Sequence, residues 1–194
     1  LSGSGKTTLA EKLFSFFVGK EYKVRIIDGD AIREKDGKNR FTPEEIINNN
    51  QRIIDLCIDL QKDYDYLLVT VIAPFENTRE KAKERFSNNY IEVYVKADLE
   101  TVMERDTKGL YKEAMQGNLK NMIGFNSNVP YEEPVNPAII LNTKKETVDK
   151  SFSKLKYFFD SNNKLNEPAL LALNNFVPEF ASQSIEPSIF FFKD

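Results

Sequence analysis

The chain opens Leu1-Ser2-Gly3-Ser4-Gly5-Lys6-Thr7, and no other stretch restricts its fold as strongly. These residues match G-x-x-x-x-G-K-[ST] from the second position onward, with the leading glycine missing from the visible start. Glycines in such a loop let successive backbone N–H groups turn inward at phosphate oxygens, where a side chain would block them. Ser2, Gly3, Ser4, Gly5, Lys6, Thr7 and Thr8 are therefore candidate ligands of a nucleoside triphosphate, ATP in the first instance. Lys6 supplies a point charge, and the Thr7 hydroxyl a ligand for Mg2+. The helix continuing through Leu9 and Leu13 turns its N-terminus to the same anion. A plain Gly-Ser turn before an ordinary helix would need Gly-Lys-Thr to fall at a helix start by accident.

Hydrophobic periodicity orders the rest. A first helix is expected from Lys6 to Val18, burying Leu9, Leu13, Phe16 and Phe17, with Gly19 as its stop. Val24 to Ile27 reads as a strand with Asp28-Gly29-Asp30 at its carboxyl end, the edge where open α/β sheets bind ligands. Ala31 to Arg40 reads as a loop. Thr42-Pro43-Glu44-Glu45 then combines a capping Thr, a Pro at the first helical position and a Glu three residues after the Thr. A helix follows to about Lys62. Tyr66 to Ile72 has the continuous apolar character of a buried parallel strand. Further strands are expected at Tyr90–Val95 and Ala138–Leu141, and helices at Glu76–Phe86, from Asp98 through Arg105, and from Thr147 to about Asn162. From Asp106 to Pro137 the pattern is helical at first and then rich in Asn, Gly and Pro, and it reads as a mobile excursion.

Alternating strands and helices define an α/β fold of three layers around a central parallel sheet. The strand that should deliver the chain into the phosphate loop is expected to be missing from this chain. The domain boundary is placed at 160, leaving 161–194, with its Phe190-Phe191-Phe192 run, as a docking tail, linker or start of another domain.

Composition narrows the chemistry. With no histidine among 194 residues, a Ser-His-Asp triad, a histidine base and a histidine metal site are all excluded. The single cysteine, Cys57, permits neither an intramolecular disulfide nor a thiolate zinc cluster. Proton transfer then falls to carboxylates, lysine or tyrosine. A net charge of -3 argues against a nucleic-acid groove, and no apolar run is long enough to span a bilayer. Nothing in the visible sequence resembles a signal peptide, so a cytoplasmic setting is expected.

Several further stretches, taken in order, resemble the adenylylsulfate kinase family of P-loop kinases over Leu1 to about Phe152. Arg105-Asp106-Thr107-Lys108-Gly109-Leu110-Tyr111-Lys112-Glu113-Ala114 is close to the family's R-D-P-K-G-L-Y-K-K-A. Asp28-Gly29-Asp30 with Arg33 resembles D-G-D-N-x-R, and Ile72-Ala73-Pro74-Phe75 resembles I-S-P-[FY]. Pro130-Tyr131-Glu132-Glu133-Pro134 with Asn136-Pro137 resembles P-Y-E-x-P-x-N-P. The resemblance implies a P-loop kinase fold and transfer of the ATP γ-phosphoryl group to the 3′-hydroxyl of adenosine 5′-phosphosulfate. A homodimer is carried as the expected assembly.

Two carboxylates separated by a glycine can divide hydroxyl orientation from metal positioning, so Asp30 is the expected base, and Asp28 joins Thr7 in placing the metal. Both could instead simply cap the turn. Lys108 and Arg105 would neutralise the transferring phosphoryl group; by resemblance Arg105 could lie against the ATP base, and either could be no more than a solvated charge. The acceptor side implied by the resemblance comprises Asp28, Arg33, Phe41, Asn49, Arg52, Ile72, Lys108, Leu110 and Met122. Ile46 stands where the family has an arginine that contacts the phosphosulfate, and Met122 where it has a stacking phenylalanine. These departures keep a second acceptor open, such as cytidine diphosphoramidate. A non-catalytic nucleotide-binding domain, or a fragment of a bifunctional sulfate-activating protein, would carry much of the same sequence.

Overall fold

The apolar face of Lys6–Val18 forms helix α1, which buries Leu9, Ala10, Leu13 and Phe17; Phe16 packs at the margin. The computed structural model describes residues 1–35, 42–126, 129–173 and 188–193. Its strands are β1 (Val24–Asp28), β2 (Tyr66–Thr70), β3 (Tyr90–Lys96), β4 (Ile139–Asn142) and β5 (Ser188–Lys193). They form one five-stranded sheet in the order β1-β2-β5-β3-β4, and every ladder is parallel. β2 is buried at every position, as its unbroken apolar run requires of a strand covered on both faces.

Strand alternation divides the core in two. Tyr66, Leu68, Phe190 and Phe192 face α1 and α7 (Val148–Leu173), joining Leu9, Leu13, Phe17, Leu155 and Phe159. Leu67, Val69, Ile189 and Phe191 face the opposite layer, where α3 (Pro43–Leu60) and α4 (Glu76–Phe86) supply Ile53, Cys57, Ala82 and Phe86. The Phe17 and Tyr66 rings stack with centroids 4.0 Å apart. Burying each such aromatic contributes about 1.5–3 kcal/mol. α3 begins as its cap predicts: the Thr42 hydroxyl accepts from the Glu45 N–H at 3.3 Å, with Pro43 in the first turn.

The structure corrects two expectations. Gly29–Lys35 is a helix, α2, where a loop was expected from Ala31. The cause is Asp28, whose Oδ1 accepts from the N–H groups of Asp30 at 2.8 Å and Ala31 at 3.2 Å, meeting donors that a helix start leaves open. The excursion after Asp106 is anchored rather than loose. Tyr111 and Ala114 on α6 (Leu110–Met115) bury with Met122 against Val102 of α5 (Leu99–Arg105), while Ile123 and Val129 bury against Ile46. Burial of apolar side chains here outweighs the local richness in Asn, Gly and Pro.

α7 runs across position 160, and β5 lies between β2 and β3. The strand at the centre of the sheet is thus drawn from the segment after 160.

Candidate active site

Gly3 and Gly5 hold φ of 82° and 102°, left-handed values that suit glycine, and they bend the first residues around the N-terminus of α1. Ser4 is fully buried beneath the loop, and Thr7 and Thr8 lie at the first turn of the helix, both exposed. Loop, β1 end and β2 end meet in a cleft of about 400 Å³. Ser2 through Leu9 line one side, and Asp28, Asp30, Thr70 and Ile72 another. Arg105, Thr107 and Lys108 reach in from the turn after α5, and Thr143, Glu146, Thr147 and Val148 from the turn before α7.

The Lys6 ammonium donates to the Leu1 carbonyl at 2.8 Å and to Ser4 Oγ at 3.3 Å. Burial lowers its pKa to about 7; Asp30 and Asp28 oppose that shift, and Lys108 adds to it. Asp28 is held on three sides, by the two helix-start N–H groups on Oδ1 and by the Thr70 hydroxyl, which donates to Oδ2 at 3.1 Å. Asp28 thus acts as a cap while one face of it borders the cleft. Asp30 accepts from Lys108 Nζ at 2.9 Å and from Arg33 at 3.3 Å. Burial pushes the Asp30 carboxyl up, but Lys108, Arg33 and Lys6 together hold it below the ordinary carboxylate value. The hydrogen bond to Asp30 raises Lys108 in turn. Both groups of this pair are therefore charged at neutral pH.

Arg105 grips the loop from behind. Its guanidinium donates to the Gly3 carbonyl at 3.4 Å, the Thr143 hydroxyl at 3.3 Å and the Thr143 carbonyl at 2.6 Å. Thr143 Oγ1 donates to the Ser4 carbonyl at 2.8 Å, and the Tyr111 hydroxyl to the Ser2 carbonyl at 3.0 Å. Asp106 accepts from the N–H groups of Tyr111 and Lys112, each at 3.0 Å, which caps α6 and fixes the turn that carries Lys108. Sequence reasoning assigns Thr143, Tyr111 and Asp106 no site role. Their functions are contacts with backbone groups, most of them far away in the chain, which leave no local pattern.

The acceptor set is only partly gathered. Asp28, Asp30, Ile72 and Lys108 line the cleft, and Arg33 stands behind Asp30. Asn49 is buried in α3, its amide without a hydrogen-bond partner among the described residues, and Arg52 is exposed on the same helix. Leu110 and Met122 pack in the cluster around Val102 and do not border the cleft. Ile46 is 1% exposed, wedged between Ile123 and Val129 with Ile72, Phe75 and Tyr131 around them. Phe41 lies outside the described residues.

A phosphate loop running into a helix at the carboxyl edge of a parallel sheet, with paired carboxylates opposite and cations entering from a turn, defines a P-loop nucleotide kinase architecture. The family model of adenylylsulphate kinase matches residues 1–142, and the chain belongs to that family. As a member of it, the chain is a phosphotransferase. An adenylyl-sulfate kinase of Halothermothrix orenii is 37% identical over 169 residues, covering 87% of this chain and 90% of its own. A probable adenylyl-sulfate kinase of Aeropyrum pernix is 35% identical over 159 residues, covering 80% of this chain and 86% of its own. Among solved structures, the Mycobacterium tuberculosis APS kinase CysC in complex with AMPPNP and APS superposes with a TM-score of 0.75 at 26% identity. That match covers 82% of this chain and 93% of CysC. No helix among the described residues is long and apolar enough to cross a membrane.

Proposed function

We propose that this chain transfers the γ-phosphoryl group of ATP to the 3′-hydroxyl of adenosine 5′-phosphosulfate, releasing ADP. The observation that carries the reading is the convergence of Lys6, Asp30 and Lys108 on one cleft, with Asp30 ionised and tied to Lys108 at 2.9 Å. The relatives from Halothermothrix orenii and Aeropyrum pernix support the acceptor, since both bear the adenylyl-sulfate name.

In this reading the loop N–H groups and Lys6 bind the β- and γ-phosphates. The Lys6 ammonium exchanges the Leu1 carbonyl for phosphate oxygens, which restores the charge that burial disfavours. Asp30 orients the acceptor hydroxyl and takes its proton as the bond to phosphorus forms. Lys108 turns from Asp30 to the transferring group, where cations stabilise developing charge as water is excluded. The donors at the cleft suit magnesium, which is held through few protein oxygens and mostly through phosphates and water. Thr7 would contribute its hydroxyl and Asp28 the edge its caps leave open, the ion neutralising charge between the phosphates. A homodimer and a cytoplasmic setting complete the proposal, and light scattering on purified protein checks the first.

Ile46 favours keeping a second acceptor in view. A buried apolar cluster stands where the resemblance implies an arginine at the phosphosulfate, so cytidine diphosphoramidate is the comparison substrate. The test is turnover with MgATP and each acceptor, by coupled ADP release, alongside Asp30→Asn. The proposal requires adenylylsulfate to be the better acceptor and Asp30→Asn to lose turnover while still binding ATP. Turnover with the cytidine compound alone, or with neither, sinks it.

A further inference from the structure

Past the end of β2 the chain leaves the sheet before it enters a helix. Ile72, Ala73, Pro74 and Phe75 belong to no ladder and precede α4, so their backbone groups must be met from elsewhere. Ile72 lines the cleft on the side that carries Asp28 and Asp30. Whatever fixes this stretch therefore fixes part of the wall beside the carboxylate that orients the acceptor hydroxyl.

Arg79 supplies most of that hold. It lies at the end of the first turn of α4, 3% exposed, and its Nη1 donates to the Ala73 carbonyl at 2.8 Å. Nη2 donates to Glu76 of the same helix, and Nε stands 3.7 Å from Glu92 Oε1 on β3. A guanidinium taken out of water is costly unless it is paired, and this one meets a carbonyl and two carboxylates at once. Only a planar fork of donors serves three directions together. Glu132 completes the hold from the other side: its N–H donates to the Pro74 carbonyl at 2.8 Å, and its carboxylate accepts from the Glu76 N–H. Phe75 and Tyr131 pack with Ile72 around the buried cluster of Ile46, Ile123 and Val129.

We propose that Arg79 is a positioning residue for the transfer reaction: by tying the Ala73 carbonyl to α4 and β3, it sets where Ile72 stands and so how the acceptor seats against Asp30. Arg79 itself does not border the cleft. The inference rests on reading that cleft as the site of a nucleotide kinase whose acceptor lies beside Asp30.

The test is Arg79→Lys, which keeps a charge beside Glu92 but cannot reach the carbonyl and both carboxylates together. Glu76→Gln accompanies it; the Glu76 side chain is 35% exposed, so this change loosens one anchor of Arg79 at small risk to folding. Initial rates over ATP and acceptor concentrations, thermal melts, and hydrogen–deuterium exchange of peptides covering 71–78 and 1–13 are measured on both variants and the parent. Arg79→Lys should raise the acceptor KM about tenfold or more and leave the KM for ATP within about twofold, because a displaced wall misplaces the acceptor alone. Exchange in 71–78 should quicken while that in 1–13 stays as in the parent. Glu76→Gln should act in the same direction, by about threefold or more in acceptor KM. A lower melting temperature with neither KM changed, or two KM values that rise together, overturns the proposal. If Arg79→Lys does not melt cooperatively, Glu76→Gln decides, and an acceptor KM within about twofold of the parent overturns it. A parent that phosphorylates neither adenylylsulfate nor the cytidine compound refutes the functional proposal. Exchange then decides the role of Arg79: quickening confined to 71–78 supports it, and unchanged exchange there overturns it.

Discussion

Lys108 offers the sharpest separation of a catalytic charge from an ordinary one. Its ammonium lies 2.9 Å from Asp30, and the two side chains are 52% and 45% exposed. An ion pair so open to water contributes about 0–1 kcal/mol to stability. For a chain of this size, that corresponds to a melting shift of at most about 2–4 °C. Against a phosphoryl group in a closed cleft the same charge is worth about 2.7–4 kcal/mol, or roughly 10²–10³ in rate. Lys108→Met keeps most of the stem and removes only the charge. Initial rates at saturating ATP and adenylylsulfate should fall by that factor while the melting curve barely moves. A second signature concerns acid. Burial pushes the Asp30 carboxyl up, and Lys108 is foremost among the groups that hold it down. Removing Lys108 raises that carboxyl toward ordinary values, so the residual activity should begin to fail at higher pH on acidification than in the parent. A rate within about tenfold of the parent would refute the catalytic assignment, since less than ~1.4 kcal/mol would then be at stake. So would a large melting loss, which would make Lys108 structural.

Two other perturbations probe the loop itself. With Lys6 near 7 in the ligand-free cleft, much of it is uncharged at pH 8, and phosphates favour the charged form, so nucleotide binding there should take up a proton. Calorimetry in buffers of different ionisation heat measures that uptake, and buffer-independent heats would contradict it. Thr143→Val removes the hydroxyl that donates to the Ser4 carbonyl at 2.8 Å and accepts from Arg105 at 3.3 Å, in a residue 8% exposed. Leaving those buried groups unmet should cost ~1–3 kcal/mol, seen as a lower melting temperature together with weaker ATP binding. An unchanged melt would show that the contact carries nothing.

Much of this is legible where the signal is local. The Lys6–Val18 helix, the Thr42 cap and the buried Tyr66–Thr70 strand each follow from a few neighbouring residues, and the structure reproduces them. Lys6 and Asp28 can be found because motif spacing brings them to the same sheet edge. Phe190 to Phe192 are harder. A short apolar run becomes a central strand only through partners elsewhere, here Leu68 to Thr70 and Ile91 to Val93. The same holds for Thr143, whose partner Ser4 lies far away along the chain. Asp28 misleads for a different reason: its side chain starts a helix, and the Asp-Gly-Asp sequence by itself fits a turn equally well.

Among the described residues, the strand at the sheet's centre is also the last along the chain. The β2 and β3 ladders to β5 close loops across most of the sequence, so their entropy must be met before either ladder forms. Until then the described strands make two half-sheets, β1-β2 and β3-β4, each with an open edge that pairs with β5 and could equally pair with another molecule's strand. Its folding is therefore expected to be slow and concentration-sensitive, with chaperones most useful in the interval before Phe190 and Phe192 settle beneath α1.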